Sequence, residues 1–292
     1  MKNKRIYANL ALVFVTIIWG ASFIVVKSAL DYMDPIYMTF LRFAIAALLM
    51  ALIFRRRLMA MKLADLRAGG IIGSFMFLAF ISQTIGLQYT TPGKQAFIIA
   101  SNVAFVPFIY WLTSGRRPDG FDILAALMCV LGVGLLSLKR GMGIGRGDLL
   151  TIVSTIFFSC HIVAVGKYSR TSDPIVLSIL QFATVALISL IACMILRVEI
   201  KPLDIRGIKS IAYTAVISTG LTFAIQNVAQ KYTEPNQAAL ILSLEAVFGA
   251  FFAILVGQDS FSLKFLLGSL IIFLAIIVAE SKLNFIRRRR QS

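Results

Sequence analysis

Three ionisable side chains, Arg42, His161 and Glu245, lie well inside long apolar stretches of this 292-residue sequence. A charged group at the centre of a bilayer costs about 2.5–3.5 kcal/mol on insertion scales, so it needs a partner or a functional role. Glu245 is the only carboxylate near the middle of such a stretch, and His161 is the only histidine in the chain. These residues are therefore the first candidates for binding a substrate or a proton.

Each of the three fits two interpretations. Glu245 fits a site for a proton or a substrate ammonium group, or a hydrogen bond or ion pair that holds helices together. Arg42 fits a partner for Glu245 or for a substrate carboxylate, or a side chain that extends to the outer interface. His161 fits a pH-dependent group in a cavity, or a hydrogen bond between helices.

Uncharged polar and aromatic residues occupy other apolar stretches. Gln83, Asn102 and Gln226 suit a polar or zwitterionic ligand, or form interhelical hydrogen bonds of about 0.6 kcal/mol each. Trp19 and Phe23 are four residues apart, so they share one face of a helix. That face forms either the aromatic wall of a cavity or a packing surface.

Long helices must position these side chains, because 59% of the residues are hydrophobic and only 14% are charged. A transmembrane helix needs about 20 apolar residues. The sequence predicts an all-α membrane protein with ten transmembrane helices. The predicted spans are 7–29, 35–54, 66–89, 92–113, 120–138, 147–168, 174–196, 205–232, 235–257 and 262–281.

The second five predicted spans repeat the first five. A shift of 139 residues places Asp34-Pro35-Ile36 on Asp173-Pro174-Ile175, and a shift of 143 places Tyr89-Thr90-Thr91-Pro92 on Tyr232-Thr233-Glu234-Pro235. A five-helix unit begins and ends on opposite faces of the membrane, so its second copy must be inverted. We therefore predict two inverted five-helix repeats, residues 1–140 and 141–292.

The repeat also pairs polar residues: Ser22 with His161, Arg42 with Gln181, Gln83 with Gln226, and Asn102 with Glu245. In carriers with inverted repeats, the substrate site lies near the midplane between the two halves. The predicted substrate cavity comprises Trp19, Ser22, Phe23, Arg42, Gln83, Asn102, His161, Gln181, Gln226 and Glu245.

The formal net charge of +16 is distributed unevenly along the chain. With the N-terminus inside, 18 Lys and Arg residues fall on the inner side and nine on the outer side. This bias predicts that both termini are cytoplasmic, and that the Arg287–Arg290 run anchors the topology near anionic headgroups. The expected surroundings are a lipid bilayer, and no nucleic acid partner is expected.

The remaining residue types argue against catalysis. Cys129, Cys160 and Cys193 lie inside predicted spans and have no metal-ligand spacing, so no metal or other cofactor is expected. The sequence contains no Walker-type phosphate loop. A membrane-embedded lipid enzyme would need clustered acids, bases or metal ligands, whereas acidic residues are sparse here. We therefore expect that the protein is not an enzyme.

Two series of motifs resemble a known family. Trp19-Gly20-Ala21-Ser22-Phe23, Lys27, Pro35 and Arg42-Phe43 resemble the opening of EamA-type members of the drug/metabolite transporter superfamily. Leu244-Glu245-Ala246-Val247, Gly257-Gln258-Asp259 and Gly268 resemble their closing motif. Ala246 stands where the family usually has proline, which predicts a less kinked ninth helix. Gln258 stands where the family often has glutamate.

The resemblance implies ten helices in two halves and a carrier of small metabolites in the cytoplasmic membrane of a prokaryote. We expect a secondary active transporter that exports amino acids or related polar compounds by alternating access. Because Glu245 is isolated, we expect Glu245→Gln to alter the pH dependence of transport, which would indicate protons as a partner. The alternatives left open are a facilitative carrier or a pore for small metabolites.

Overall fold

The computed structural model describes residues 2–115, 117–137, 145–199, 202–259 and 262–289, and this part of the chain is helical, with no β-strand. A π-helix spans Tyr213–Leu221, between the α-helices Ile205–Ala212 and Thr222–Gln230. The α-helices are α1 (Lys2–Ala29), α2 (Pro35–Ile53), α3 (Arg55–Met59), α4 (Leu63–Gln88), α5 (Pro92–Ala100), α6 (Asn102–Ser114), α7 (Gly120–Ser137), α8 (Arg146–Tyr168), α9 (Pro174–Ile195), α10 (Ile205–Ala212), α11 (Thr222–Gln230), α12 (Pro235–Leu242), α13 (Glu245–Leu255) and α14 (Leu263–Arg289).

In the described part of the chain, eight helical segments are long and apolar enough to cross a membrane, which confirms a multi-pass membrane protein. Two further apolar helices, Gly120–Gly132 and Leu263–Ala275, are shorter. The predicted boundary between the repeats, at residues 140 and 141, lies outside the described residues, as do Leu138 at the end of the fifth predicted span and Arg290. The eight segments are Lys4–Ala29, Pro35–Ile53, Leu63–Gln88, Pro92–Ser114, Arg146–Tyr168, Pro174–Ile195, Ile205–Gln230 and Pro235–Leu255.

The repeated Asp-Pro motifs start two matched helices in the same way. Asp34 caps α2 by accepting a hydrogen bond from the backbone nitrogen of Ile36 at 2.7 Å. Asp173 caps α9 by accepting one from Ile175 at 2.8 Å. Proline follows each aspartate as the first helical residue, where it loses no intrahelical hydrogen bond.

Helices α2 and α9 pack against each other in opposite directions. Arg57, which follows α2, forms an ion pair of 3.4 Å with Asp173 at the start of α9. At the opposite end, Tyr32 precedes α2 and accepts a hydrogen bond from Arg206, which follows α9. We refer to the two ends of the bundle as the Asp34 end and the Asp173 end. The matched motifs thus lie at opposite ends of the molecule.

The packing between the halves is symmetric under exchange of the repeats. Helix α4 packs on α8 and on α9, and the matched contacts join α11 to α1 and the π-helix to α2. Helix α7 packs on α14, its counterpart, and α5 packs on α13. Each of these contacts joins the first half to the second, so the core of the bundle is an interface between the repeats.

Two matched segments are interrupted at the same position. The α5–α6 segment is interrupted at Ser101, and the α12–α13 segment at Ser243 and Leu244. The Ser101 hydroxyl donates to the Ile98 carbonyl at 2.5 Å, and the Ser243 hydroxyl donates to the Leu240 carbonyl at 2.6 Å. A serine that competes for a backbone carbonyl can perturb a helix without proline. The expectation that the ninth helix is less kinked than one with proline stays a prediction.

Candidate functional site

A partly open chamber with a cavity volume of about 60 Å³ lies between the two halves. It is lined by ten apolar or aromatic residues and nine polar or ionisable ones. Its lining consists of Trp19, Ser22, Phe23, Val26, Arg42, Phe80, Gln83, Thr84, Leu87, Ile99, Asn102, Phe158, His161, Ile162, Ser218, Phe223, Gln226, Leu242 and Glu245.

Nine of the ten residues predicted for the substrate cavity line this chamber. The tenth, Gln181, does not line it. Gln181 lies behind His161, and its Oε1 is 3.0 Å from the Nε2 atom of that histidine. The structure thus brings the ten residues together, while their role in substrate binding stays a prediction.

Most of the lining is symmetric under exchange of the repeats. Seven pairs of matched residues line the chamber, and they supply fourteen of its nineteen residues. The other five are Val26, Arg42, Thr84, Leu87 and Ser218. The seven pairs are Trp19 with Phe158, Ser22 with His161, Phe23 with Ile162, Phe80 with Phe223, Gln83 with Gln226, Ile99 with Leu242, and Asn102 with Glu245.

Arg42 is a buried cation, 6% exposed, held by hydroxyl groups. Its Nε atom donates to the Thr219 hydroxyl, and Nη2 lies 3.2 Å from Ser218 Oγ and 3.4 Å from the Ser218 carbonyl. The guanidinium lies 4.6 Å from the centre of the Phe80 ring, a distance typical of a cation–π contact. Arg42 therefore does not extend to the interface, and it retains donors for an anion.

Glu245 is a buried carboxylate, 5% exposed, at the first position of α13. Its side chain makes no hydrogen bond or ion pair with the described residues. The ion pairs in that part of the chain are Arg57–Asp173 and Lys94–Asp148, so Arg42 does not neutralise Glu245. The amino end of a helix favours a negative charge, which partly offsets the burial of this carboxylate.

The π-helix supplies a site residue that sequence reasoning missed, Ser218. A π-helix is rare and frequently marks a functional site. The Ser218 carbonyl lies 3.1 Å from Trp19 Nε1, and its hydroxyl lies 2.5 Å from that of Ser22. The Trp19 ring nitrogen is also 2.9 Å from Thr222 Oγ1. The cluster of hydroxyls, Ser218, Thr219 and Thr222, was the available signal in the sequence.

Three uncharged residues present hydrogen-bond acceptors without partners. Gln226 donates to Gln230 Oε1 at 2.8 Å, and Gln230 in turn donates to the Ile162 carbonyl at 3.0 Å. This chain fixes the amide orientations and leaves Gln226 Oε1 unpaired. Asn102 Oδ1 and His161 Nδ1 are also buried without a partner in the described part of the chain. The chamber lining therefore combines a donor group at Arg42 with unpaired acceptors at Gln226, Asn102 and His161 and the carboxyl group of Glu245.

Two residues of the opening motif have structural roles outside the chamber. Lys27 Nζ donates to the carbonyls of Leu87, Gln88 and Thr90, at 2.6, 3.2 and 3.1 Å, and so caps the end of α4. Gly20 packs against α13, where an added Cβ would lie 2.6 Å from the Phe248 Cβ. These residues are fixed by helix packing and do not line the chamber.

Among the described residues, no group of three or more His, Cys, Asp or Glu side chains lies close enough to hold a metal ion. Cys129 and Cys193 are buried, Cys160 is half-buried, and all three are free thiols. The chamber therefore offers hydrogen-bonding groups, one guanidinium, one carboxyl group and apolar walls.

Comparisons with known proteins agree with this architecture. The sequence matches the EamA-like transporter family over residues 6–138 and again over residues 145–280. An uncharacterized transporter of Archaeoglobus fulgidus is 34% identical over 277 residues, which cover 95% of this chain and 87% of the relative. The "Probable amino-acid metabolite efflux pump" of Escherichia coli K12 is 24% identical over 279 residues, 90% of this chain and 91% of the relative.

A solved crystal structure shares the fold. It has a TM-score of 0.70 at 18% sequence identity, and the match covers 98% of this chain and 99% of the other. At this identity the similarity concerns the path of the backbone alone.

Proposed function

The chain belongs to the EamA-like transporter family, and we propose that it is a secondary carrier that exports small zwitterionic metabolites, such as amino acids, by alternating access. The observation that carries this proposal is that Arg42 and Glu245 are both buried in the lining of one chamber and do not pair with each other. Two buried charges that do not neutralise each other are expensive in an apolar medium. A ligand that carries both opposite charges removes that cost.

The carboxylate of the substrate would bind Arg42. A guanidinium binds a carboxylate through parallel hydrogen bonds, and the surrounding hydroxyls of Ser218 and Thr219 hold its plane in place. Phe80 covers one face of the guanidinium and limits its contact with water. A substrate carboxylate therefore meets a cation that is already oriented.

The ammonium group of the substrate would bind near Glu245. An ammonium has three donors and no acceptor, which matches the unpaired oxygens of Asn102 and Gln226. The neutral His161 ring adds one more acceptor at Nδ1 when Nε2 donates to Gln181. These acceptors and the Glu245 carboxyl group, all in the chamber lining, favour an amine over a hydroxyl or an amide.

The rest of the substrate would contact an apolar wall. Trp19 and Phe223 rings are 4.8 Å apart, and the Phe80 and Phe158 rings are 5.1 Å apart. A ligand pocket of this kind is mostly apolar, with a few polar groups that fix orientation. We therefore expect neutral amino acids with apolar side chains to bind better than acidic or basic ones.

Ten transmembrane crossings with both termini in the cytoplasm are part of this proposal, as are two repeats that meet between residues 140 and 141. The apolar helices Gly120–Gly132 and Leu263–Ala275 would provide the two crossings beyond the eight long segments. The Asp173 end would then face the cytoplasm, in keeping with Arg55, Arg56 and Arg57 at that end. Export is the direction in the name of the Escherichia coli relative.

Counterflow in proteoliposomes tests the proposal. Vesicles loaded with unlabelled leucine should accumulate labelled leucine transiently and saturably. Isocaproate, which lacks the ammonium, and isoamylamine, which lacks the carboxylate, should compete at least about 100-fold more weakly, since each leaves one buried charge unpaired. Non-saturable flux would indicate a pore, and competition by either analogue as strong as that of leucine would exclude recognition of two charges.

Proton coupling through Glu245 has its own test. The Glu245→Gln variant keeps the size and polarity of the side chain but cannot exchange a proton. Its transport rate should vary less with pH than that of the wild type, while its expression is unchanged. An identical pH profile in the two proteins would exclude Glu245 as the coupling group.

A further inference from the structure

The symmetric lining of the chamber is extended toward one end only. Val26 and Leu87 lie close to the ends of α1 and α4 at the Asp34 end, and Thr84 lies one turn before Leu87. Their matched residues in the second half do not line the chamber. Those residues are Val165, Asn227 and Gln230, and each is 0% exposed.

We propose that Asn227 and Gln230 line the route between the chamber and the Asp173 end in the second conformation of the transport cycle. This inference rests on the proposed alternating access. If two inverted repeats exchange their conformations, each takes up the arrangement that the other has now. The lining would then withdraw from Val26, Thr84 and Leu87 and extend to their counterparts.

Gln230 and Asn227 are held in place by neutral hydrogen bonds. Gln230 donates to the Ile162 carbonyl at 3.0 Å, and Asn227 donates to the Ser178 hydroxyl at 2.9 Å. Both bonds link α11 to helices of its own half, α8 and α9. Water or a polar substrate can replace such partners, because each bond involves no charge on either side.

An independent observation supports a polar ligand on this route. Asn227 Oδ1 is fully buried and has no hydrogen-bond partner in the described part of the chain, and Gln226 Oε1 is in the same condition. An unpaired buried carbonyl is costly, and such groups in native structures need an explanation. A conformation in which these oxygens meet water or a substrate ammonium provides one.

The two half-routes differ in chemistry. The matched positions are Leu87 and Gln230, and Thr84 and Asn227, so the Asp173 side has two amides where the Asp34 side has a leucine and a threonine. Amides can exchange hydrogen bonds with a zwitterion during entry, whereas the apolar side holds it weakly. In an exporter this asymmetry would favour capture from the cytoplasm and release outside.

Thiol labelling tests which residues line the route. Single cysteines are introduced by Gln230→Cys and Leu87→Cys in a protein in which Cys129, Cys160 and Cys193 are replaced by serine. In proteoliposomes with leucine on both sides, the thiol at 230 should react with a methanethiosulfonate reagent at least tenfold faster than without leucine. The thiol at 87 should react in the absence of leucine and become slower.

The control variant is Ala229→Cys, at a buried position next to Gln230 that is not part of the proposed lining. A thiol at 229 that reacts as fast as the one at 230 would indicate loosening of the helix and would overturn the inference. So would a thiol at 230 that stays unreactive in a protein with normal counterflow. Absence of counterflow in the wild type would instead refute the proposed function.

If the cysteine variants do not fold, a second variant tests the same inference. Gln230→Met keeps the length of the side chain but removes both hydrogen bonds. It should raise the KM for leucine about tenfold when leucine is offered at the Asp173 side and leave the KM at the Asp34 side unchanged. An equal change on both sides, or none on either, would contradict a role on one route and indicate a purely structural one.

Discussion

The two halves of this transporter carry the same tight turn at opposite ends, and they hold it with different chemistry. In the first half, the Thr90 hydroxyl donates to Asp148 Oδ1 at 3.0 Å. In the second half, the Thr233 hydroxyl donates to Asn9 Oδ1 at 3.3 Å. Thr233 matches Thr90 and Asn9 matches Asp148, so the same hydrogen bond is formed twice.

The difference is electrostatic. Asp148 also forms an ion pair of 2.6 Å with Lys94, whereas the matched residues Asn9 and Gln237 are neutral. The Asp34-end turn is further held by Lys27, which caps α4, and its matched position is a glycine, Gly166.

A symmetric backbone is thus combined with asymmetric restraints on the two turns. The repeat sets which helices touch, and the charges decide how firmly each turn is attached. We expect the Asp34-end turn to move together with α1 and α8. The Asp173-end turn, where neutral Asn9 and Gln237 take the places of Asp148 and Lys94, should separate more easily. Replacing a residue by the type found at its matched position therefore tests this difference between the two turns or between the two halves.

The largest effect is expected for Arg42→Gln. This variant introduces the residue type of the matched position in the second half, Gln181. Loss of the only cation of the described chamber lining should weaken leucine binding by roughly 100-fold or more, about 3 kcal/mol. Competition in counterflow measures this loss. Weak competition by isoamylamine, which has no carboxylate, should not change, and unaltered leucine affinity would exclude Arg42 as the carboxylate site.

The next effect is expected for Asp148→Asn, which copies Asn9. Lys94 would lose its partner in a largely buried position, so the free energy of unfolding in detergent should fall by about 3 kcal/mol. The double variant Asp148→Asn with Lys94→Gln copies both neutral residues of the other end and should recover most of that loss. Asn9→Ala is the control and should cost about 1 kcal/mol. Equal losses for Asn9→Ala and Asp148→Asn would refute the asymmetry.

A smaller effect is expected for Gly20→Ser, which copies Ser159. The new side chain would overlap with Phe248 and with the backbone of Gly249, and overpacking of this kind costs about 1–3 kcal/mol. Thermal unfolding monitored by tryptophan fluorescence measures it. Gly134→Ala is the matched control, because nothing lies within 4 Å of the added Cβ. A stable Gly20→Ser protein would show that α1 and α13 can separate without penalty.

The smallest effect concerns Asp259, which accepts a hydrogen bond of 2.7 Å from the Gly93 nitrogen at the Asp34 end. Burial raises the pKa of this carboxyl above its usual 3.8, although Lys94 and the Gly93 bond oppose the shift. The folded protein therefore binds this proton more tightly than the unfolded chain does. Stability from this group falls as the pH rises from the ordinary pKa through the raised one.

Asp259→Asn tests that sign. The amide oxygen still accepts from Gly93 and carries no charge, so the variant should be at least as stable as the wild type at neutral pH. Its advantage should shrink as the pH is lowered toward about 4, because the wild-type carboxyl becomes neutral. Melting temperatures across this range measure the difference, and an advantage that grows at low pH would contradict the raised pKa.

Much of the architecture could be predicted from local sequence. The Asp-Pro motifs at residues 34 and 173 cap helices, and long apolar stretches form helices wherever the backbone must satisfy its own hydrogen bonds. Matched polar residues such as Gln83 and Gln226 converge because a repeated sequence places them at equivalent depths. Family membership followed from the same motifs.

Other features could not be read from the sequence. The Ser218 carbonyl becomes an acceptor for Trp19 only through the π-helix, whose stability depends on contacts with α1 and α2. The structure also shows that Gln181 lies behind His161 and that Lys27 caps α4. In each case a side chain is directed by residues far away in the chain.

By itself, the sequence determined the apolar helical segments, the internal repeat and the set of polar residues inside those segments. These features depend on composition and local hydrogen bonding. Only the tertiary structure decided that Arg42 and Glu245 face one chamber without pairing, and that the chamber extends toward the Asp34 end alone. Which charges meet and which path is open depend on how helices pack across the two halves. Packing adds contacts over long sequence distances that no local pattern specifies.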